Sequence, residues 1–139
     1  MTLAPRAVVI HRATELDELL AHHGTRGQAA FFLSSRGRSI DEVVARHEAT
    51  DAALAAVSAA IPIDWRRGTV ERADLARFMF APDDVIIVVG QDGLVANVAK
   101  YLDWQPVIGI NTDTHRNPGV LVAHQPDEVA ELLRSRDDT

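Results

Sequence analysis

Asp84-Val85-Ile86-Ile87-Val88-Val89-Gly90-Gln91-Asp92-Gly93-Leu94 is the stretch on which the reading of this chain turns. Its unbroken run of β-branched aliphatic residues suits a strand buried on both faces, as in the middle of a parallel sheet. The run leads straight into Gly90-Gln91-Asp92-Gly93, after which Leu94, Val95, Val98, Ala99 and Leu102 recur at helical spacing. In an open parallel sheet, ligands sit beyond the carboxyl ends of the strands, and the turn after a central strand opens that crevice. Two glycines permit positive φ and a close approach to the main chain, and the first amides of the helix offer donors to an anion. The Asp92 carboxylate is placed to orient or deprotonate a hydroxyl, or to hold magnesium on a phosphate. The same four residues also make a good tight turn on chemistry alone.

Outward from this stretch, short apolar runs alternate with segments of helical period. Ala7 to Ile10 opens as a buried strand. Thr14 with Asp17 three residues on forms a capping box, and Leu16, Leu19 and Leu20 make one stripe that stops at Gly24. Ala29-Ala30-Phe31-Phe32-Leu33 is expected as a second strand, and Ser39 with Glu42 as the cap of the longest helix, running toward Pro62. Pro62 to Val70 is expected as a short edge strand, and Glu71 to Phe80 as a helix with Leu75, Phe78 and Met79 on its inner face. Val107 to Ile110 is the next strand. A polar loop from Asn111 to Asn117, an apolar segment from Gly119 to Val122 and a last helix from Pro126 close the chain. The alternation predicts one α/β domain over residues 1–139: three layers, an open and mostly parallel sheet with helices on both faces, Rossmann-like.

Composition narrows the function. Asp and Glu outnumber Lys and Arg by 20 to 14, a formal charge of -6, so no general electrostatic attraction draws the chain to nucleic acid or to an anionic membrane. No stretch approaches the roughly 20 apolar residues of a membrane span, and the first residues lack a secretory core, so a soluble cytoplasmic protein is expected. With no cysteine, disulfides, thiolate nucleophiles and Cys-based zinc sites are excluded.

The stretch from Asp84 to Leu94, followed by Pro106-Val107-Ile108-Gly109-Ile110-Asn111 and Gly119-Val120-Leu121, resembles the N-terminal domain of the NAD kinase family over roughly residues 83 to 121. That family carries a strand into a Gly-Gly-Asp-Gly-Thr turn, then a Gly-Ile-Asn strand end and a Gly-Phe-Leu segment. The resemblance implies a phosphotransferase that moves the γ-phosphoryl group of ATP, with Mg²⁺, to the 2′-hydroxyl of the NAD adenosine ribose. It assigns the general base to Asp92, places Gly93 against the nucleotide and Gly90 in support of the turn, and aims Asn111 into the same crevice. Gln91, Leu94 and Asn97 stand where the family has glycine, threonine and often a basic residue, which leaves another sugar or nucleoside open as acceptor. Arg116, in the loop after the Gly-Ile-Asn strand, is a candidate for the phosphate charge that Asn97 lacks. The resemblance also implies a β-rich second domain beyond Thr139, making this chain the N-terminal part of a longer protein that does not turn over alone, and a homo-oligomer is expected. A non-catalytic nucleotide-binding or oligomerisation module of the same fold is the alternative. A receiver-like signalling domain would want an acidic pair after the first strand, which Ile10-His11-Arg12 does not supply.

The remaining constellations are weaker. Six histidines show no pairing on one helix face, so no metal site is expected. Arg66-Arg67 and Arg36-Gly37-Arg38 read as polar turns, Asp113 to Arg116 as a solvated loop, and Trp65 and Trp104 as packing or interface anchors. Ser34-Ser35 lacks a nucleophile elbow.

Overall fold

A computed structural model describes residues 5–112 together with Leu133. Its elements run in the order β1 (Arg6–His11), α1 (Glu15–His23), α2 (Arg26–Ser34), α3 (Ile40–Ala60), β2 (Arg66–Glu71), a 3₁₀ helix (Arg72–Arg77), β3 (Val85–Gly90), α4 (Asp92–Ala99) and β4 (Val107–Asn111). The four strands form one sheet in the order β2-β1-β3-β4, every pair parallel. The architecture is α/β with a Rossmann-like layout.

Side-chain parity along the strands decides the layers. Ala7, Val9, Val85, Ile87 and Val89 bury against Ala53 and Val57 of α3, while Val8, Ile10, Ile86 and Val88 bury against Leu94 and Val98 of α4 and against Leu75 of the 3₁₀ helix. Helical structure therefore covers both faces. From β1 the chain steps to β2 on one side, and from β3 it steps to β4 on the other. Connections of one hand that travel in opposite directions must lie on opposite faces, which is where α3 and α4 are found.

Local sequence fixes the helix ends. The Thr14 hydroxyl accepts from the Asp17 N–H at 3.2 Å, and the Asp17 carboxylate accepts from the Thr14 N–H at 2.9 Å, so the capping box at the start of α1 is complete. Gly24 ends that helix at φ 84°, a left-handed conformation that glycine adopts without a Cβ clash. Ser39 caps α3 through the Asp41 N–H.

Two expected elements differ. Ala29 to Leu33 is not a strand but the middle of α2: Thr25 caps the Gln28 N–H, and only Ala29 and Leu33, four residues apart, are buried, while Phe31 is exposed. The helix expected over Glu71 to Phe80 is a 3₁₀ helix over Arg72–Arg77 only. It stops because Phe78 turns extended and packs under the sheet, and Met79 points outward rather than in. Trp65 is buried in the core as expected, but Trp104 is almost fully exposed. The segments expected after Asn111, namely most of the polar loop, the apolar Gly119 to Val122 segment and most of the last helix, lie outside the described residues. Leu133 is helical and fully buried against the α3 face of the sheet. No helix among the described residues is long and apolar enough to cross a membrane.

The helices that precede β2 are tied together by charge. Glu15, at the first position of α1, accepts a two-pronged contact from the Arg38 guanidinium at 2.7 and 2.8 Å and a longer one from Arg46 at 3.4 Å. The Arg38 hydrogen bonds hold the Glu15 carboxyl below its ordinary range, against a smaller opposing effect of burial. A group depressed on folding stabilises above its unfolded pKa and loses that contribution as pH falls through the folded value. Chemical denaturation should therefore show a stability loss below about pH 4.3 that shrinks in Arg38→Gln and at high salt.

Candidate functional site

The carboxyl ends of the four strands open on a cavity of about 870 Å³. Its position follows from element lengths. A strand of six residues spans roughly 20 Å, whereas α3, with 21 residues, spans roughly 31 Å. The second half of α3 covers the sheet, and its first half extends beyond the strand ends, where it packs with α1 and α2 around Leu16, Leu33 and Val43. The space between that helical cap and the strand ends is the cavity, and Glu18 of α1 with Glu42, Arg46 and Thr50 of α3 forms its outer wall.

The inner wall is built by one rule. The residue immediately after each strand lines the cavity: Arg12 after β1, Arg72 after β2, Gln91 after β3 and Thr112 after β4. Because β1 and β3 are neighbours whose connections leave in opposite directions, the loops that follow them diverge, and the crevice lies where the strand order reverses. Glu71 fixes two of these loops at once, since its carboxylate accepts from the Ala13 N–H at 2.9 Å and from the Ala73 N–H at 2.6 Å. Arg12 and Arg72 are exposed and make no ion pair among the described residues. Arg46, by contrast, is shared with Glu15. The strand-end side of the cavity thus carries cations, and the helix side carries the Glu18 and Glu42 carboxylates.

Of the residues expected at the site, Gly90, Gln91 and Gly93 line the cavity, and Asp92 is the first residue of α4 between them. The glycines act differently from the expected turn. Neither has positive φ. A Cβ at Gly90 would lie 3.1 Å from Leu94 Cδ2, so that side chain would have to give by a few tenths of an ångström, whereas one at Gly93 would meet nothing within 4 Å and would project into open space. Gln91 sits in extended backbone at φ -119°, where any residue fits, and its side chain makes no capping bond to α4. The Leu94 N–H bonds the Gln91 carbonyl at 3.0 Å, so the helix starts tightly and its first turn faces the cavity without a side-chain cap.

No protein-family model and no curated protein sequence matches this chain.

The other expected residues fall elsewhere. Asn111 pairs in register with Gly90 at the end of β4, but its side chain is buried, and its neighbour Thr112 is the one on the cavity wall. Asn97 lies a turn beyond Gly93, half-buried and off the wall. Arg116 lies outside the described residues. The sequence reading missed Arg12 and Arg72 as site residues. The signal that finds them is position, one residue past a strand, and for Arg72 that required the true end of β2.

Proposed function

We propose that this chain is an NAD kinase-like phosphotransferase domain, in which ATP and the sugar hydroxyl it phosphorylates, the NAD ribose 2′-hydroxyl by resemblance, meet over Asp92. The observation that carries the reading is the cavity at the strand-order reversal, lined by Gly90, Gln91 and Gly93 and by two arginines, Arg12 and Arg72, that make no ion pair among the described residues. Phosphoryl transfer needs positioning and charge neutralisation more than covalent help. In this reading Arg12 and Arg72 neutralise phosphate oxygens, the start of α4 supplies its dipole and amides, and the open space beside Gly93 admits a phosphate to the main chain. Asp92 takes the proton of the acceptor hydroxyl. A magnesium ion carried on the nucleotide would have a carboxylate of the cavity wall, Glu18 or Glu42, beside it. A β-rich second domain would complete the grip on the ribose.

Leu94 favours a second reading, a nucleotide-binding module without turnover. It is buried against Gly90 and β3, so the first turn of α4 presents a packing group where a kinase of this type has a hydroxyl.

Calorimetric titration of the chain with Mg-ATP and with NAD tests the shared part of both readings. Saturable binding is expected, and Arg12→Ala and Arg72→Ala should each weaken it about tenfold, the scale of one charge-assisted hydrogen bond. Absence of binding to either nucleotide rejects both. In the full-length gene product, Asp92→Asn should lower ATP-dependent formation of NADP by at least about a hundredfold, whereas no activity in either protein selects the binding module.

A further inference from the structure

We propose that Thr14, on the cavity wall, is an activated nucleophile, the phosphoryl acceptor of a Thr14–His47–Asp51 relay; the identity of its donor, a nucleoside triphosphate, rests on the reading above. Thr14 Oγ1 lies 2.7 Å from His47 Nδ1, and His47 Nε2 lies 3.1 Å from Asp51 Oδ2. Asp51 follows His47 by one helical turn on α3, so helix geometry brings the two side chains together. The donor and acceptor inventory sets the direction of the chain. The Asp51 carboxylate can only accept and is the nearer of the two carboxylates, so the relay uses the neutral imidazole with its proton on Nε2 and Nδ1 bare. The Thr14 hydroxyl then donates to Nδ1. Nucleophile, base and orienting carboxylate stand in the sequence that activates a hydroxyl.

Two further features act on the same oxygen. Oγ1 accepts the Asp17 N–H at 3.2 Å at the start of α1, where the helix dipole favours negative charge developing on the attacking atom. Thr14 lines the cavity beside Arg12, while His47 is set behind it and off the wall. The nucleophile's residue is thus on the cavity wall, and the base's is not. Capping of α1 accounts for the bond that Oγ1 accepts. It does not account for the imidazole that receives its proton and is held in turn by a carboxylate.

In the step, Oγ1 attacks the γ-phosphorus of the triphosphate, and the Oγ1–P bond forms as the bond from that phosphorus to the bridging oxygen breaks. The hydroxyl proton passes to His47 Nδ1, and the electron pair of the broken bond leaves with the nucleoside diphosphate. The resulting imidazolium lies between Asp51 and Asp17, whose Oδ1 is 3.6 Å from Nδ1.

Intact-mass measurement with peptide mapping, after incubation with Mg-ATP and separately with acetyl phosphate, tests the inference. A mass increase of one phosphoryl group on Thr14 is expected, kept in Thr14→Ser and absent in Thr14→Val. His47→Gln retains an amide donor and acceptor but cannot take the proton, so labelling should slow by at least about a hundredfold at an unchanged melting temperature. Asp51→Asn, on the exposed face of α3, gives a second reading with less risk to folding. Labelling by acetyl phosphate but not by ATP would support the relay and overturn the nucleotide donor. ATP binding without any mass increase would overturn the relay and leave the nucleotide reading standing, and neither binding nor labelling would overturn both. Labelling at the same rate in His47→Gln and Asp51→Asn would reduce the cluster to a structural tie.

Discussion

Arg6→Met is expected to lower stability by about 3–5 kcal/mol, a large share of the roughly 5–15 kcal/mol that holds a domain folded. Asp84, at the entrance to β3, is fully buried. Its carboxylate is held by Arg6 Nε at 3.0 Å and Nη2 at 2.6 Å, a two-pronged contact, and by the Ala81 N–H at 2.7 Å. Arg6 Nη2 also donates to the Met79 carbonyl at 3.1 Å, and the guanidinium lies over the Phe78 ring. The hydrogen bonds to Asp84 raise the Arg6 pKa above its already high ordinary value, against the smaller opposing effect of burial, so the guanidinium keeps its charge. Methionine keeps the apolar stem over Phe78 but leaves a buried carboxylate with one amide for company, and that uncompensated charge is the source of the cost. Replacing both partners, as Arg6→Met with Asp84→Leu, should recover much of the loss, because the desolvation of the ions disappears with them. Urea denaturation of the two single variants and the double variant measures this, and a single-variant loss under about 1 kcal/mol would place the pair among ordinary surface bridges. Because the pair sits at the amino end of the sheet, opposite the cavity, ligand affinity per folded molecule should not change.

How much of this was legible beforehand depended on whether the signal was local. The β3 strand, the capped start of α1 and the long α3 were all readable, because an aliphatic run, a Thr-x-x-Asp box and an extended alanine-rich period are written in neighbouring residues. Ala29 to Leu33 misled because an apolar run of that length suits strand and helix alike. Thr25 with Gln28 was the available cue, a hydroxyl followed three residues later by an amide. The 3₁₀ helix was overextended because nothing local reveals that the Met79 carbonyl is claimed by Arg6, a contact between residues 73 positions apart. At the site, the turn from Gly90 to Gly93 was found by its own pattern. Arg12, Arg72 and His47 were not, since each gains its place only when strand ends from distant parts of the chain converge, or when α3 is laid across α1.

The doubly covered sheet makes a demand that a one-sided sheet does not. If β3 were solvated on one face, alanine at one of two successive positions would be nearly neutral, as outward-facing positions alternate with inward ones. Ile86 and Ile87 are both fully buried, the first against the α4 and 3₁₀ side with Leu75, the second against the α3 side with Val57. Ile86→Ala and Ile87→Ala should therefore each cost about 2–5 kcal/mol, through lost burial and the cavities left between tightly packed layers. The two losses should approach additivity in the double variant, since the side chains lie on opposite faces and share no cluster. Denaturation midpoints should fall for both while the dependence on denaturant stays unchanged. A neutral result at either position would mean that one face of β3 is open, and with it would go the arrangement of α3 and α4 on opposite sides that creates the crevice at Gly90 to Gly93.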